Sequence, residues 1–417
     1  MNKKIDPNPF RGMRDFLPQD VERRERVVGQ IAGNFARWGF HRIETPALER
    51  LEVLVGSEGG ENEKLIFKVL KRGEKAEAAA SPDQLADAGL RFDLTVPLAR
   101  YIAANHASLP TPFKSLQIGP VWRAERPQKG RFRQFIQCDV DILGLDAPHA
   151  EIDVLLAAGS GLQSVGLRNF TIRLNHRAVL SAMCRRMGIA DELHGKALIT
   201  LDKLDKIGVD EVLAELEPMG AGTQKLRPIL EAANAKQMDA ASFIRDFQLD
   251  VDPAVVAELE AITNTVREFA SDAWGIAFDP TLVRGMGYYT GAVFEVAHPD
   301  FSFSLGGGGR YDNMVGRFLG RQVKACGFSV GFERLMLALS DEAIYQGRQV
   351  ERVAVLHERP EGAVRAYREA EQARGAGALA TVLPGEKKLG RQIERLREAG
   401  YGRVLIVGGD GGVRTAD

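Results

Sequence analysis

FKSLQIGPVWRAERPQKGRFRQFIQCDVDILG, residues 113–144, carries the reading from which the fold follows. Residues 113–120 have the character of a strand. Residues 135–144 form a second strand, with Phe135, Gln137, Asp139 and Asp141 on one face, because side chains two apart along a strand point the same way. Three polar side chains on one sheet face need a ligand or water. Between the strands, Arg123, Arg126, Lys129, Arg131 and Arg133 crowd one loop with only Glu125 opposing them. Such density suits a polyphosphate or an RNA end, although charge alone fits a solvated hairpin equally well.

Upstream of this hairpin, Val21, Val28, Ile31, Phe35 and Trp38 recur at helical spacing, and Gly39 stands where a helix ends. FHRIETPALE follows as a strand, with Pro46 at a tolerated edge. EKAEAAASPDQLADAG, residues 74–89, reads as a solvated loop or short helix between hairpin strands. Downstream, helical patterns fill residues 176–274. Strand-like TGAVFEVAH and FSFSL then return, with LGGGGRYD and CGFSVGFERLMLAL behind them. The chain therefore reads as α+β: a sheet-based catalytic region, residues 1–175 and 275–345, split by a helical insertion at 176–274. A small α/β domain at 350–417 alternates strand and helix. Its VLIVGGDGG lacks the following helix and acid of a dinucleotide fingerprint.

The 417 residues suffice for two or three domains, each with its own core. Hydrophobic and charged fractions of 45% and 27% exclude a disordered chain. Three dispersed cysteines offer neither a zinc spacing nor a disulfide framework, so a reducing cytoplasm fits. No secretory signal or membrane-length apolar run is expected. With 55 basic and 56 acidic residues, any RNA contact must use local patches.

Two further stretches carry candidate chemistry. In LRFDLTVPLARY, Asp93 and Thr95 are expected on one strand face, where a carboxylate and a hydroxyl grip an ammonium group; a strand-end cap is the plainer reading. In LVRGMGYYTGAVFEV, Arg284, Tyr288 and Tyr289 lie among glycines, which suits a pocket where backbone approaches a ligand; ordinary β-structure explains the same pattern.

Taken in order, these motifs resemble histidyl-tRNA synthetases over almost the whole chain. RGMRDFLP at residues 11–18 and the helix–strand unit ending at Pro46 are similar to the first class II motif, residues 119–144 to the second, and CGFSVGFERLMLAL, with Glu333 and Arg334, to the third. LVRGMGYYTG and GGGGRYD resemble the two signatures of the histidine enzymes. The resemblance implies a class II antiparallel sheet flanked by helices, a cytoplasmic homodimer built on the first motif, and the substrates histidine, ATP and tRNA(His). Mg²⁺ would bridge the phosphates, with no protein metal cage implied.

Carried over by resemblance, Arg123 would hold the α-phosphate, Glu125 the adenine amino group and Arg131 the terminal phosphates. Phe135 would stack on adenine, with Arg334 over its other face near the γ-phosphate. Asp93, Thr95 and Gln137 would take the α-ammonium of histidine. Asp141 and Tyr289 would meet the imidazole, with Tyr288 and Gly307 of the two signatures in the same pocket. Arg284, with Arg123 and Gln137, would serve the chemical step. Gly287 stands where many members carry an acid, and Asp93 and Asp141 where bacterial members often carry Glu. The last domain resembles a shortened anticodon-binding domain. The competing reading is a histidine-binding regulatory paralogue without ligase activity; Arg284 and residues 352–417 speak against it.

Overall fold

Val27, Ile31 and Phe35 fall at i, i+4 and i+8 and are fully buried along one face of the Pro18–Arg37 helix. Gly39, at φ 80°, follows where the helix has ended. Val21 is exposed and Val28 half-buried, because both lie at the edge of that stripe and not at its centre. The position nearer its head is taken by Arg24, a buried cation.

The computed structural model describes residues 5–55, 62–73, 85–127, 131–235, 238–284, 289–345 and 351–416. Two compact units result, Met1–Ile344 and Tyr345–Asp417. In the first, strands β1 (His41–Arg42), β2 (Leu48–Arg50), β3 (Lys68–Leu70) and β4 (Ala86–Leu90) precede the hairpin of β5 (Phe113–Trp122) and β6 (Gln134–Leu143). Later come β7 (Phe170–His176), β8 (Trp274–Phe278), β9 (Ala292–His298), β10 (Phe301–Arg310) and β11 (Ala325–Gly331). An eight-stranded sheet runs β1-β5-β6-β11-β10-β9-β7-β8, antiparallel except for the pairs β1 with β5 and β7 with β8; β2-β4-β3 form a small second sheet. The parallel pair of β7 and β8 needs a crossover. It is supplied by helices from Arg177–Arg186 to Pro253–Phe269.

Two sequence expectations change. Residues 86–89 belong to β4, not to a loop or helix, and residues 74–84 lie outside the described chain. Pro46 lies between β1 and β2 instead of within a strand. The glycines of LGGGGRYD belong to β10, since a close neighbour on either side leaves no room for side chains there. A Cβ on Gly308 would stand 1.9 Å from the Gly327 carbonyl oxygen.

The Pro18–Arg37 and His149–Ser164 helices pack together, with Asn34 Nδ2 donating to Ala157 O at 3.2 Å and Trp38 Nε1 to Ser160 Oγ at 2.9 Å. The second unit holds β12 (Arg352–His357), β13 (Leu379–Pro384), β14 (Arg403–Val407) and β15 (Val413–Thr415) in the order β13-β12-β14-β15. Val353 and Val355 enter one apolar cluster and Ala354 and Leu356 another, as befits a sheet covered on both faces. Among the described residues no helix is long and apolar enough to cross a membrane.

Gly159 lies where the His149–Ser164 helix meets Trp274, whose ring stacks on Phe170 at 5.9 Å. A Cβ there would come within 2.5 Å of the indole. Gly159→Ala is therefore expected to lower stability by about 1–3 kcal/mol, read as a lower urea midpoint at unchanged slope. An unchanged midpoint would show that Trp274 yields at no cost.

Candidate active site

Gln137, Asp139 and Asp141 share one face of β6, and β11 sets small residues directly opposite: Gly331, Ser329 and Gly327. That pairing makes the room. A Cβ on Gly327 would lie 2.0 Å from Asp141 Oδ1. The result is a cleft of about 480 Å³, lined by residues from β5–β6, β10, β11 and the start of the helix Thr95–Asn105.

One part of the site is acidic. Asp93 does not share a strand face with Thr95: β4 ends at Leu90, Thr95 opens a helix, and Asp93 Oδ1 accepts from Val96 N at 3.1 Å. A short acceptor just before a helix takes one of its orphan N–H donors, so Asp93 serves the start of a helix, as neither the strand-face reading nor the strand-end cap had it. Both residues nevertheless line the cleft. Burial raises the Asp93 carboxyl to about 6, offset by Val96 N–H and Arg123. Asp141 is raised to about 7 by burial, against the hydrogen bond that Tyr311 Oη donates to its Oδ1 at 2.5 Å. Asp139 is pushed well up by burial and by Asp141, against a hydrogen bond from Ser329. Asp141 Oδ2, Asp139 Oδ1 and Gln137 Oε1 are buried with no protein partner.

The other part is basic. Arg123 stands 5.0 Å over the Phe135 ring and donates through Nε to Phe92 O at 2.9 Å. Arg131 lies 3.7 Å from Glu125. Arg284 Nη1 donates to Glu295 Oε2 at 2.6 Å, and Arg334 Nη1 to Ser304 O at 2.9 Å. Burial first, then Arg131 and Arg284, lower the Arg334 pKa, so these cations repel one another across the cleft. Gly307 lines the cleft beside Arg284: a Cβ there would meet the guanidinium at 2.5 Å.

The cleft thus gathers Asp93, Thr95, Arg123, Glu125, Arg131, Phe135, Gln137, Arg284, Tyr289, Gly307 and Arg334. Asp141 lies beneath it and is not among its lining residues, and Tyr288 is outside the described chain. Of the remaining loop cations, Arg126 is exposed, Arg133 donates to Glu125 O at 3.0 Å, and Lys129 is also outside the described residues. Sequence reading passed over Ser329, Tyr311, Arg14 and Arg24. The alternation of small residues in CGFSVG was the available signal for Ser329; nothing local marked Arg24.

The profile described as histidyl-tRNA synthetase matches residues 12–335, a span that includes every residue of the cleft. The chain belongs to the histidyl-tRNA synthetase family. It is 48% identical over 342 residues to the histidine–tRNA ligase of Leifsonia xyli subsp. xyli, covering 79% of each chain. To the histidine–tRNA ligase of Christiangramia forsetii it is 35% identical over 422 residues, 96% of this chain and 92% of that one. The histidyl-tRNA synthetase structure from Nostoc sp. PCC 7120 superposes with a TM-score of 0.79 at 27% identity, covering 99% of this chain and 97% of that one. A structure titled as an ATP phosphoribosyltransferase regulatory subunit/histidyl-tRNA synthetase from Bacillus halodurans C shares the fold, with a TM-score of 0.79 at 23% identity and coverage of 98% and 100%. The α+β sheet architecture expected from the sequence is thus that of the family.

Glu333 ties this family's cleft to the N-terminal helix. Its carboxylate accepts from Arg24 Nη1 at 2.8 Å and Nη2 at 2.6 Å, and also from Arg14. Burial alone would raise its pKa, yet Arg24 and Arg14 hold it below the ordinary value. A depressed carboxylate adds stability that is present above the ordinary value near 4.5 and is lost as pH falls through the folded one. Glu333→Gln leaves Arg24 buried and unpaired, so a loss of about 3–5 kcal/mol is expected at pH 7. Denaturation curves should show that gap between wild type and variant closing in acid; a gap constant with pH would refute the charged role.

Proposed function

We propose that the cleft joins histidine to ATP, forming histidyl-adenylate and releasing pyrophosphate, and then passes histidine to the 3′ end of tRNA(His). One observation carries this reading: four guanidiniums, those of Arg123, Arg131, Arg284 and Arg334, line the same cleft as Asp93, Thr95 and Gln137. Mutually repelling cations favour a polyanion, and buried carboxyls with open lone pairs favour an ammonium or an N–H donor. An amino acid beside a triphosphate supplies both.

In this reading Phe135 stacks on adenine with Arg334 over the opposite face near the γ-phosphate. Glu125 accepts from the adenine amino group, Arg123 holds the α-phosphate and Arg131 the terminal phosphates. Asp93, Thr95 and Gln137 hold the α-ammonium. Asp141, Tyr289 and Gly307 set the imidazole subsite, to which the resemblance also assigns Tyr288 of the signature, and a lost hydrogen bond there penalises amino acids without two ring nitrogens. A histidine carboxylate oxygen then attacks the α-phosphorus and the bond to pyrophosphate breaks. Arg284 offsets the charge gathered there, and two parallel N–H donors suit that better than an ammonium. Mg²⁺ would arrive on the phosphates and neutralise their charge. Among the described residues no three acidic, His or Cys groups cluster as a cage, and Glu333 is taken by two arginines.

The split of the catalytic region around residues 176–274 belongs to the same proposal, as does tRNA contact by the C-terminal unit. A homodimer built on the first motif belongs to it too, and fits the exposed Leu17 and Val21 there, which a second copy would cover.

ATP–pyrophosphate exchange across the twenty amino acids tests the whole reading: histidine alone should support it. No exchange would favour a regulatory paralogue. Arg284→Ala should slow adenylate formation about 10²- to 10³-fold, with Lys a poor substitute and histidine affinity changed less. Rapid quench on a folded variant separates this from a loop anchor, which would harm adenylation and transfer alike. Removing residues 345–417 should leave exchange largely intact while tRNA charging falls; collapse of both in a folded truncation would overturn that division of labour.

A further inference from the structure

Gln137 lines the cleft with an amide that is held from below. Its Nε2 donates to Ser329 Oγ at 3.0 Å and approaches Asp139 Oδ2 at 3.4 Å. Ser329 lies directly opposite Asp139 in the β6–β11 ladder. The Gln137 NH₂ group thus has both oxygens as acceptors, whereas the reversed amide would turn Oε1 on the Asp139 carboxyl oxygen. Gln137 Oε1 is consequently left as an acceptor without a protein partner.

We propose that Asp139 and Ser329 are a positioning pair that keeps the Gln137 carbonyl oxygen toward the α-ammonium of the amino-acid substrate. The proposal rests on the reading of this cleft as a histidine site and deepens it. Neither residue needs to touch the substrate. Asp139 does not line the cleft, and its same-face spacing from Gln137 is a consequence of strand geometry. An unheld amide would populate both orientations, and in one of them its NH₂ would face the ammonium.

The pair is tested by calorimetric titration with histidine and with imidazole-4-propionate, which keeps the ring and carboxylate and lacks the amine. Wild type should prefer histidine. Ser329→Ala and Asp139→Asn should each weaken histidine binding about tenfold, the scale of one hydrogen bond to a charged group, and weaken the amine-free acid by less than about twofold. Ser329→Thr, which keeps the hydroxyl, should restore histidine binding, and ATP affinity should not move in any variant. Equal losses for both ligands, no loss for histidine, or a Thr variant as weak as Ala would overturn the proposal. Wild type binding both ligands equally would remove the ammonium role of Gln137 and the pair with it, while leaving the imidazole subsite standing. Wild type binding neither would overturn the histidine reading itself.

Discussion

Three carboxyl groups, Asp93, Asp139 and Asp141, are buried, which raises the pKa of each; Asp141 and Asp93 push Asp139 up further, Asp93 adds to Asp141, and much of the site's arrangement answers that cost. A buried charge must be paired or must take up a proton. The protein supplies partial compensation: Val96 N–H to Asp93, Tyr311 Oη to Asp141, Ser329 to Asp139, and the field of Arg123. Lone pairs remain open on Asp139 and Asp141. The acidic pole is thus left electrostatically unfinished by the fold's own groups, as a site for a cationic or N–H-donating ligand should be.

The basic pole is unfinished in the opposite sense, and β6 relates the two. From Phe135 to Asp141 the strand advances six residues, roughly 20 Å at about 3.3 Å each. Arg123 meets β6 at its start, where its guanidinium covers Phe135, whereas Asp141 lies deep in the strand opposite Gly327. In the proposed reading, one extended strand therefore serves both the place where phosphates are attracted and the place where an amino acid is selected. A helix would rotate those side chains onto different faces; the strand keeps every second one in line.

The hairpin was legible in sequence because its signals are local: alternation gave the polar face of β6, and the run of arginines marked the loop. The Asp93–Thr95 pair was misread as part of a strand because a short polar residue before an apolar run suits a strand and the start of a helix equally well, and only the Val96 N–H bond decides. The glycines of β10 were quoted as a signature without a steric reason; their role appears only when Gly308 is set against Gly327, a neighbour 19 residues away. Arg24 was illegible for the same cause. Its partner Glu333 lies 309 residues along the chain, and on a helical wheel a buried arginine looks like a break in an apolar stripe.

That break carries consequences beyond the helix. Arg24 stacks at 4.0 Å over Phe16, and Arg14 lies 4.0 Å over Phe132, so cation–π contacts and Glu333 join the N-terminal segment to a wall of the cleft. Arg133 N donates to Gly12 O at 2.8 Å, fastening the same segment to the strand end that follows the arginine loop. Gly12 admits this approach because a Cβ would fall 2.7 Å from Pro127, and its φ of 86° is one that L-residues rarely adopt. A buried ion pair contributes little net stability compared with apolar packing, but it specifies geometry strongly when breaking it strands a charge. Here the stranded charge would lie beside the residues proposed to hold ATP. The N-terminal segment, remote from them in sequence, thereby restrains the shape of the end of the cleft proposed to take the nucleotide.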